Sequence, residues 1–320
     1  MPLLIHEAEV DALVSMPDAL RLVEEVFTYN DRERSSSQPR RRVASGRGTL
    51  NVMFSSLPAR DVFGLKAYPV SPVGVTFTVL LYKASTSELL AIIEAGRLGQ
   101  LRTGAASGVA TKYLARSDAT TLGLFGAGTQ AETQLEAVAL VRPLQRVLVH
   151  ARRYATVQAF CARMSERVGI PVEPALAPEQ LLEYDVVTTA TSATQPLFEG
   201  ADLRRGTHVN AIGSNFASKA EVDVETVRRS RPVVVDSLES ARLEGGDLLP
   251  AIDRGLLAWE HVVELGDVVA GRHPGRPDYE AITLFKSHGV ASEDVVLAHE
   301  VYLRATEQGV GERVEMFGIR

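Results

Sequence analysis

The segment Thr121-Leu-Gly-Leu-Phe-Gly126-Ala-Gly128-Thr-Gln-Ala131 constrains the fold of this chain more than any other. Its spacing is G-x-G-x-x-A, set between a run that reads as a strand and a run that reads as a helix. Gly126 permits a tight turn, Gly128 lets the backbone come close to a pyrophosphate, and Ala131 lets the helix pack tightly on its strand. The helix N-terminus then faces an anion. From here on strands alternate with helices. Strands are expected at 120–125, 146–149, 185–189, 208–212 and 233–236, and helices at 129–140 and 154–168. Such alternation means βαβ units and a mostly parallel sheet. The expectation is a Rossmann dinucleotide-binding domain within an α/β chain.

The texture before it differs. The first 30 residues read as two helices, the second opened by Ser15-Met-Pro-Asp18, a capping residue with an acid three positions on and a proline in the first turn. Residues 31–48 are polar and read as a loop. Residues 50–95 carry β patterns joined by short turns, as antiparallel strands do. A helix follows at 98–115. A last helix, at about 293–307, is expected to fold back on the N-terminal region. The domains are therefore expected as 1–115 with 292–320, a β-rich α+β unit, and 116–291, the Rossmann unit.

Composition narrows the function classes. The net charge of −6 argues against a nucleic-acid protein, which would carry a basic face. One cysteine, Cys161, excludes an intrachain disulfide. The start has no basic region before Glu7, so a signal peptide is not expected, and no apolar run is long enough to span a membrane. A cytoplasmic protein is expected. The seven histidines are scattered, so no metal site is expected. Of the 34 basic residues only five are lysines, which makes each lysine informative and each arginine less so.

The second strand of the alternating region bears on the cofactor. A fold that prefers NAD usually ends this strand in an acid that holds the ribose 2′-hydroxyl. Here it runs Val147-Leu-Val-His150 into Ala151-Arg152-Arg153. Two arginines stand where a 2′-phosphate would lie, and arginine pairs with phosphate through its planar fork. NADP is expected, with NAD as the alternative; Arg152 and Arg153 could also simply start a solvated helix. Thr189, Ala190 and Thr191 end a strand at the carboxyl edge of the sheet, where ligands of such folds bind.

Taken together, Gly64-Leu-Lys66, Leu101-Arg-Thr-Gly-Ala-Ala106, Lys112-Tyr-Leu-Ala-Arg116, the glycine loop, His208-Val-Asn-Ala-Ile-Gly213, Glu221-Val-Asp223, Phe285-Lys-Ser-His-Gly289 and Glu293-Asp294 resemble the ornithine cyclodeaminase and mu-crystallin family. The resemblance covers nearly the whole chain. It implies a Rossmann domain plus a β-rich domain that binds substrate and forms a homodimer, and a nicotinamide-dependent reaction at a carbon bearing an amino or imino group. The family's carboxylate-binding cations carry over to Lys66, Arg102 and Arg41, the last within Arg40-Arg-Arg42, where the register is ambiguous by one residue. Cofactor contacts carry over to Thr103, Gly126, Ala127, Gly128, Thr129, Gln130, Ala151, Arg152, Arg153, Thr189, Ala190, Thr191, Ile212, Gly213 and Lys286.

Lys66 and Arg102 also have a reading of their own. A lysine in a short apolar strand lies at an edge or against a cleft, where its pKa falls and it exchanges protons. A cation near a helix start opposes the helix dipole and needs an anionic partner. One departure matters. Where the cyclodeaminases and related alanine dehydrogenases place an aspartate after Ile-Gly-x, this chain has Asn215. An amide cannot be a general base, but it can orient a substrate. The expected function is therefore an NAD(P)H-dependent imine (ketimine) reductase of a small cyclic or linear α-imino acid, with Lys66 and Asn215 at the reacting centre. An amino-acid dehydrogenase or cyclodeaminase, and a non-enzymatic NADPH-dependent ligand binder of mu-crystallin type, are the alternatives.

Overall fold

The computed structural model describes residues 1–28 and 35–316. The chain divides into two compact units, Met1–Arg102 with Gly289–Arg320, and Thr103–His288. The first division falls inside the helix Gly96–Leu114, between Arg102 and Thr103, rather than at its end near 115.

The first unit is built on an eight-stranded sheet. Its order is Glu312–Arg313, Leu3–Ile5, Leu89–Glu94, Thr78–Lys83, Val62–Ser71, Gly48–Leu57 and Ser36–Ser45, with Gly74–Val75 added beside Val62–Ser71. Every pairing is antiparallel except that of Leu3–Ile5 with Leu89–Glu94. The helices Glu7–Leu13 and Met16–Thr28 precede it, and Ser15 and Asp18 form the reciprocal cap read from the sequence, each side chain accepting from the other's backbone N–H. The apolar stripe of the second helix (Ala19, Leu22, Val23, Val26) is buried. The C-terminal helix Ala291–Gln308 packs on the sheet and on Met16–Thr28, as the sequence led us to expect.

The polar stretch 31–48 is not simply a loop. Residues 29–34 lie outside the described residues, but Ser36–Ser45 is a strand paired with Gly48–Leu57. Its serines and arginines hid it because only one flank is a sheet neighbour and one face is solvated, conditions a polar sequence tolerates.

The second unit is a doubly wound parallel sheet in the order Val172–Pro174, Arg146–His150, Thr121–Phe125, Val186–Thr189, His208–Ala211, Ile282–Lys286, Ser230–Val235 and Val262–Glu264. Three of these strands, Val172–Pro174, Val262–Glu264 and Ile282–Lys286, were not anticipated. One core on this sheet is built around Leu122, Leu135, Val147 and Phe160, another around Phe125, Val187, Val209 and Leu284. Strand order reverses between Thr121–Phe125 and Val186–Thr189, which opens a crevice at their carboxyl ends. Among the described residues no helix is long and apolar enough to cross a membrane.

Candidate functional site

In the first unit, alternation along the strands gathers cations on the buried face. Lys66 stands opposite Met53 on one side and Val79 on the other, and Val79 opposite Ile93. All four side chains are buried. The outermost strand then adds an irregularity. Gln38 pairs with Phe54 and Arg41 with Val52, so Pro39 and Arg40 together face the single residue Met53. This is a β-bulge, with one extra residue on one strand. It turns Arg40 inward, where it is 6% exposed, and leaves Arg41 outward and exposed opposite Val52. The cation of this strand that joins Lys66 is therefore Arg40, and the assignment to Arg41 is corrected by one residue.

Two acids from the first turn of Ala291–Gln308 meet these cations. Lys66 Nζ donates to Asp294 Oδ1 at 2.8 Å. Arg102 donates from Nε to the same oxygen at 3.2 Å and from Nη1 to Glu293 Oε2 at 2.9 Å. Both carboxylates are completely buried, and a helix N-terminus favours negative charge. Gly289 takes φ +77° as the chain turns into this helix, and a side chain there would strike the Arg102 guanidinium. Phe77 lies 5.0 Å from Lys66 Nζ and Tyr68 5.9 Å from the Arg40 guanidinium, measured to ring centroids.

The electrostatics follow from burial and pairing. Burial pushes the Lys66 ammonium down to about 8, Asp294 opposing and the Arg102 and Arg40 cations adding to the fall. Burial alone would raise the Asp294 carboxyl, but Arg102 and Lys66 overrule it and hold it below its ordinary value. Arg102, which burial would lower, is raised by Asp294 and Glu293. Among the described residues Arg102 Nη2 has no acceptor, and one of the three Lys66 N–H groups is used. Charged donors left over in a desolvated cluster are a receptor for a carboxylate.

The second unit carries the glycine loop. Gly126 adopts φ +115°, and a side chain there would run into the Ala190 carbonyl. Its N–H donates to the His150 carbonyl at 2.8 Å. Gly128 caps the helix Thr129–Val141 without any side-chain cap, and a Cβ added to it would meet nothing within 4 Å. Gly128 and Thr129 are exposed, and Ala127 and Gln130 half-buried. Uncapped helix amides beside an open cradle fit a dinucleotide pyrophosphate. Ala151 is half-buried, and Arg152 and Arg153 are exposed after the second strand. Thr103, Ala190, Thr191, Ile212 and Asn215 are half-buried and Gly213 is exposed.

Two residues expected at the cofactor are turned elsewhere. Lys286 is fully buried, with Nζ donating to the Ser214 carbonyl at 2.6 Å and paired with Asp247 Oδ2 at 2.9 Å. It fixes the loop that carries Asn215. Thr189 is likewise buried, its hydroxyl donating to Glu221 Oε2 at 2.8 Å. The Glu221 carboxylate, itself inaccessible, also accepts from Gly213 N (2.6 Å), Thr191 N (2.8 Å) and Thr191 Oγ1 (2.6 Å). Asp247 Oδ1 in turn accepts from the N–H groups of Glu221 and Val222. Glu221 and Asp247 thus clamp two strand-end loops together, a role the sequence reading did not assign to either. His208 is buried between Thr283 and Asn210 and pushed down to about 3 by burial, so it is a neutral packing residue.

Fold and site together define a two-unit protein with a dinucleotide cradle on a Rossmann sheet and a buried, cation-lined anion receptor on a β-rich sheet. The chain belongs to the ornithine cyclodeaminase/mu-crystallin family, whose model matches residues 2–309. It is 38% identical over 281 residues to a Delta(1)-pyrroline-2-carboxylate reductase of Bacillus cereus, covering 85% of this chain and 86% of that one. Its fold matches a Thermococcus litoralis Delta(1)-pyrroline-2-carboxylate reductase, solved with NADH and L-proline, at a TM-score of 0.93 and 35% identity, covering 98% and 100% of the two chains. It also matches an archaeal alanine dehydrogenase dimer with bound NAD, at 0.93 and 33% identity over 99% of each.

Proposed function

We propose that this protein is an NAD(P)H-dependent reductase of small α-imino acids, cyclic or linear. The observation that carries the reading is the buried cluster with unused Lys66 and Arg102 donors, in a chain whose other unit has an open pyrophosphate cradle. The dinucleotide, when bound, supplies a hydride to the imine carbon. Gly126, Gly128 and the helix start at Thr129 hold its pyrophosphate. Arg40, Lys66 and Arg102 hold the substrate carboxylate, and holding a substrate in one orientation is a large part of the rate. An ammonium near pKa 8 is a competent acid, so Lys66 delivers the proton to the imine nitrogen, directly or through a water it holds. Asn215 orients the substrate by hydrogen bonding and takes no proton.

NADP is the preferred cofactor in this reading, because Arg152 and Arg153 are exposed where the second strand ends. The protein works in the cytoplasm as a homodimer. The outer face of the β-rich sheet exposes Val43, Leu50, Phe54 and Phe63, at 68%, 45%, 47% and 36%, an apolar surface that a second copy would cover.

The test is oxidation of NADPH and NADH with pyrroline-2-carboxylate, piperideine-2-carboxylate, and pyruvate with an amine. Turnover on at least one, faster with NADPH, is expected, and an Arg152→Ser, Arg153→Ser double variant should lose the NADPH advantage. Bound cofactor without turnover on any substrate would sink the reading. The archaeal alanine dehydrogenase likeness keeps amino-acid oxidation as the second reading. NAD(P)H formation from alanine, absent on the imino acids, would establish it instead.

A further inference from the structure

The helix Gly96–Leu114 is capped from a distant part of the chain. Ala95, just before it, has no side-chain oxygen to receive the first amides. Glu7 receives them instead: Oε1 accepts from Gly96 N–H at 2.5 Å and Oε2 from Arg97 N–H at 2.7 Å. Glu7 is half-buried, and its own N–H donates to Glu94 Oε2 at 3.0 Å, at the end of the strand that leads into this helix. A carboxylate bonded in this way gains from the helix dipole and from two charge-assisted hydrogen bonds. The same helix meets the anion receptor in its next turns. A Cβ at Gly96 would stand 2.6 Å from Glu7 Oε1, and one at Gly99 2.8 Å from Lys66 Nζ. Helix backbone, with no side chain between, therefore covers the Lys66 ammonium. Three residues further on, Arg102 reaches Asp294 and Glu293. Residues at this spacing are neighbours on a helix, so a loosening at Gly96 passes to Gly99 and then to Arg102.

We propose that Glu7 is a positioning residue for the anion receptor. By pinning the start of this helix it holds the Gly99 backbone over Lys66 and Arg102 against Asp294. The proposal rests on the reading that the receptor takes the substrate carboxylate. Glu7 acts through the helix and takes no part in the chemistry. Two substitutions disturb the contact from its two sides. Glu7→Gln keeps the size but offers one acceptor oxygen to two N–H groups, and no charge. Gly96→Ala keeps every charge and supplies the better helix former, but its methyl pushes the Glu7 carboxylate off the amides.

The test uses the full chain saturated with NADP+ and two planar ring probes, pyrrole-2-carboxylate and pyrrole-2-carboxamide, with dissociation constants measured by calorimetry. In both variants the dissociation constant of the carboxylate, and KM for pyrroline-2-carboxylate, should rise roughly tenfold or more, since a small misplacement of a binding group costs that much. The dissociation constant of NADPH should stay the same, because the glycine cradle belongs to the other unit. Gly96→Ala adds a readout that a loss of stability alone would not move. Lys66 faces Asp294, Arg102 and Arg40, and burial is the chief cause of its low pKa. Water admitted under a loosened helix should move the high-pH limb of kcat/KM up from about 8 toward the ordinary value of 10.5. The control is Asp18→Asn, which takes the charge from the cap of helix Met16–Thr28 in the same unit and from Arg304. It should lower the melting temperature and leave KM and the limb in place. Unchanged substrate binding in whichever of Glu7→Gln and Gly96→Ala folds, or an equal loss in Asp18→Asn, would overturn the positioning role. A wild type that binds carboxamide and carboxylate alike would instead remove the receptor reading, and the proposal with it.

Discussion

Lys66 predicts a pH limb that can be assigned to a single residue. Its ammonium is held at about 8 instead of 10.5, by burial first, with Arg102 and Arg40 adding and Asp294 opposing. The groups that face it are these three and, through Arg102, Glu293. The sign follows directly. A carboxylate needs the charged form, and the charged form is lost as pH rises through about 8. Above that point kcat/KM for pyrroline-2-carboxylate should fall tenfold per pH unit, or roughly 30-fold by 1.5 units above the limb. The affinity of pyrrole-2-carboxylate, whose carboxylate stays ionised throughout, should trace the same curve and separates enzyme titration from that of the imine. Two variants assign the limb. Lys66→Arg keeps a cation that does not titrate in this range, so the limb should disappear. Asp294→Asn removes the anion that supports the ammonium, and a charge at such range is worth roughly 1–3 pH units, so the limb should move down by that much. A limb that keeps its position in both variants would refute the argument.

Other substitutions separate the parts of the site. Gly128→Ala adds a methyl that meets no protein atom, so the melting temperature should be unchanged while cofactor affinity, followed by fluorescence titration, falls at least about tenfold as the cradle fills; a loss of stability with affinity intact would contradict the cradle. Glu221→Ala strands the donors of Gly213, Thr189 and Thr191, and denaturant unfolding should show a loss of about 3 kcal/mol or more. If the proposed homodimer uses this face, Leu50→Asp with Phe54→Asp should give a monomer in sedimentation, whereas the same changes at Leu140 and Leu176, which are more exposed, should leave the sedimentation unchanged.

The parts of this protein that were legible in the sequence are those governed by local rules. The glycine loop, its flanking strand and helix, and the cap at Ser15 each depend on residues within one turn of one another. Helix Tyr154–Val168 could be bounded from its sequence alone. What escaped depended on partners distant in the chain. Ser36–Ser45 has a polar sequence and becomes a strand because Gly48–Leu57 pairs with it. Lys286 lies in a segment typical of the family, yet its fate is decided by Asp247, an acid the sequence left without a role, and by the Ser214 carbonyl.

The shift from Arg41 to Arg40 shows how narrow the gap can be. Strict alternation gives opposite answers from the two sides: counted from Gln38 it turns Arg41 inward, and counted back from Val43 it turns Arg40 and Arg42 inward. Proline lacks an amide hydrogen and is found in sheets at edges and bulges, so Pro39, just before the arginines, was a signal for the extra residue. With the bulge placed there, Pro39 and Arg40 share the position opposite Met53 and Arg41 must face out. The inward cation then joins Lys66 and Arg102 around Asp294. One inserted residue in an edge strand therefore decides which arginine supplies the third cation beside Lys66 and Arg102.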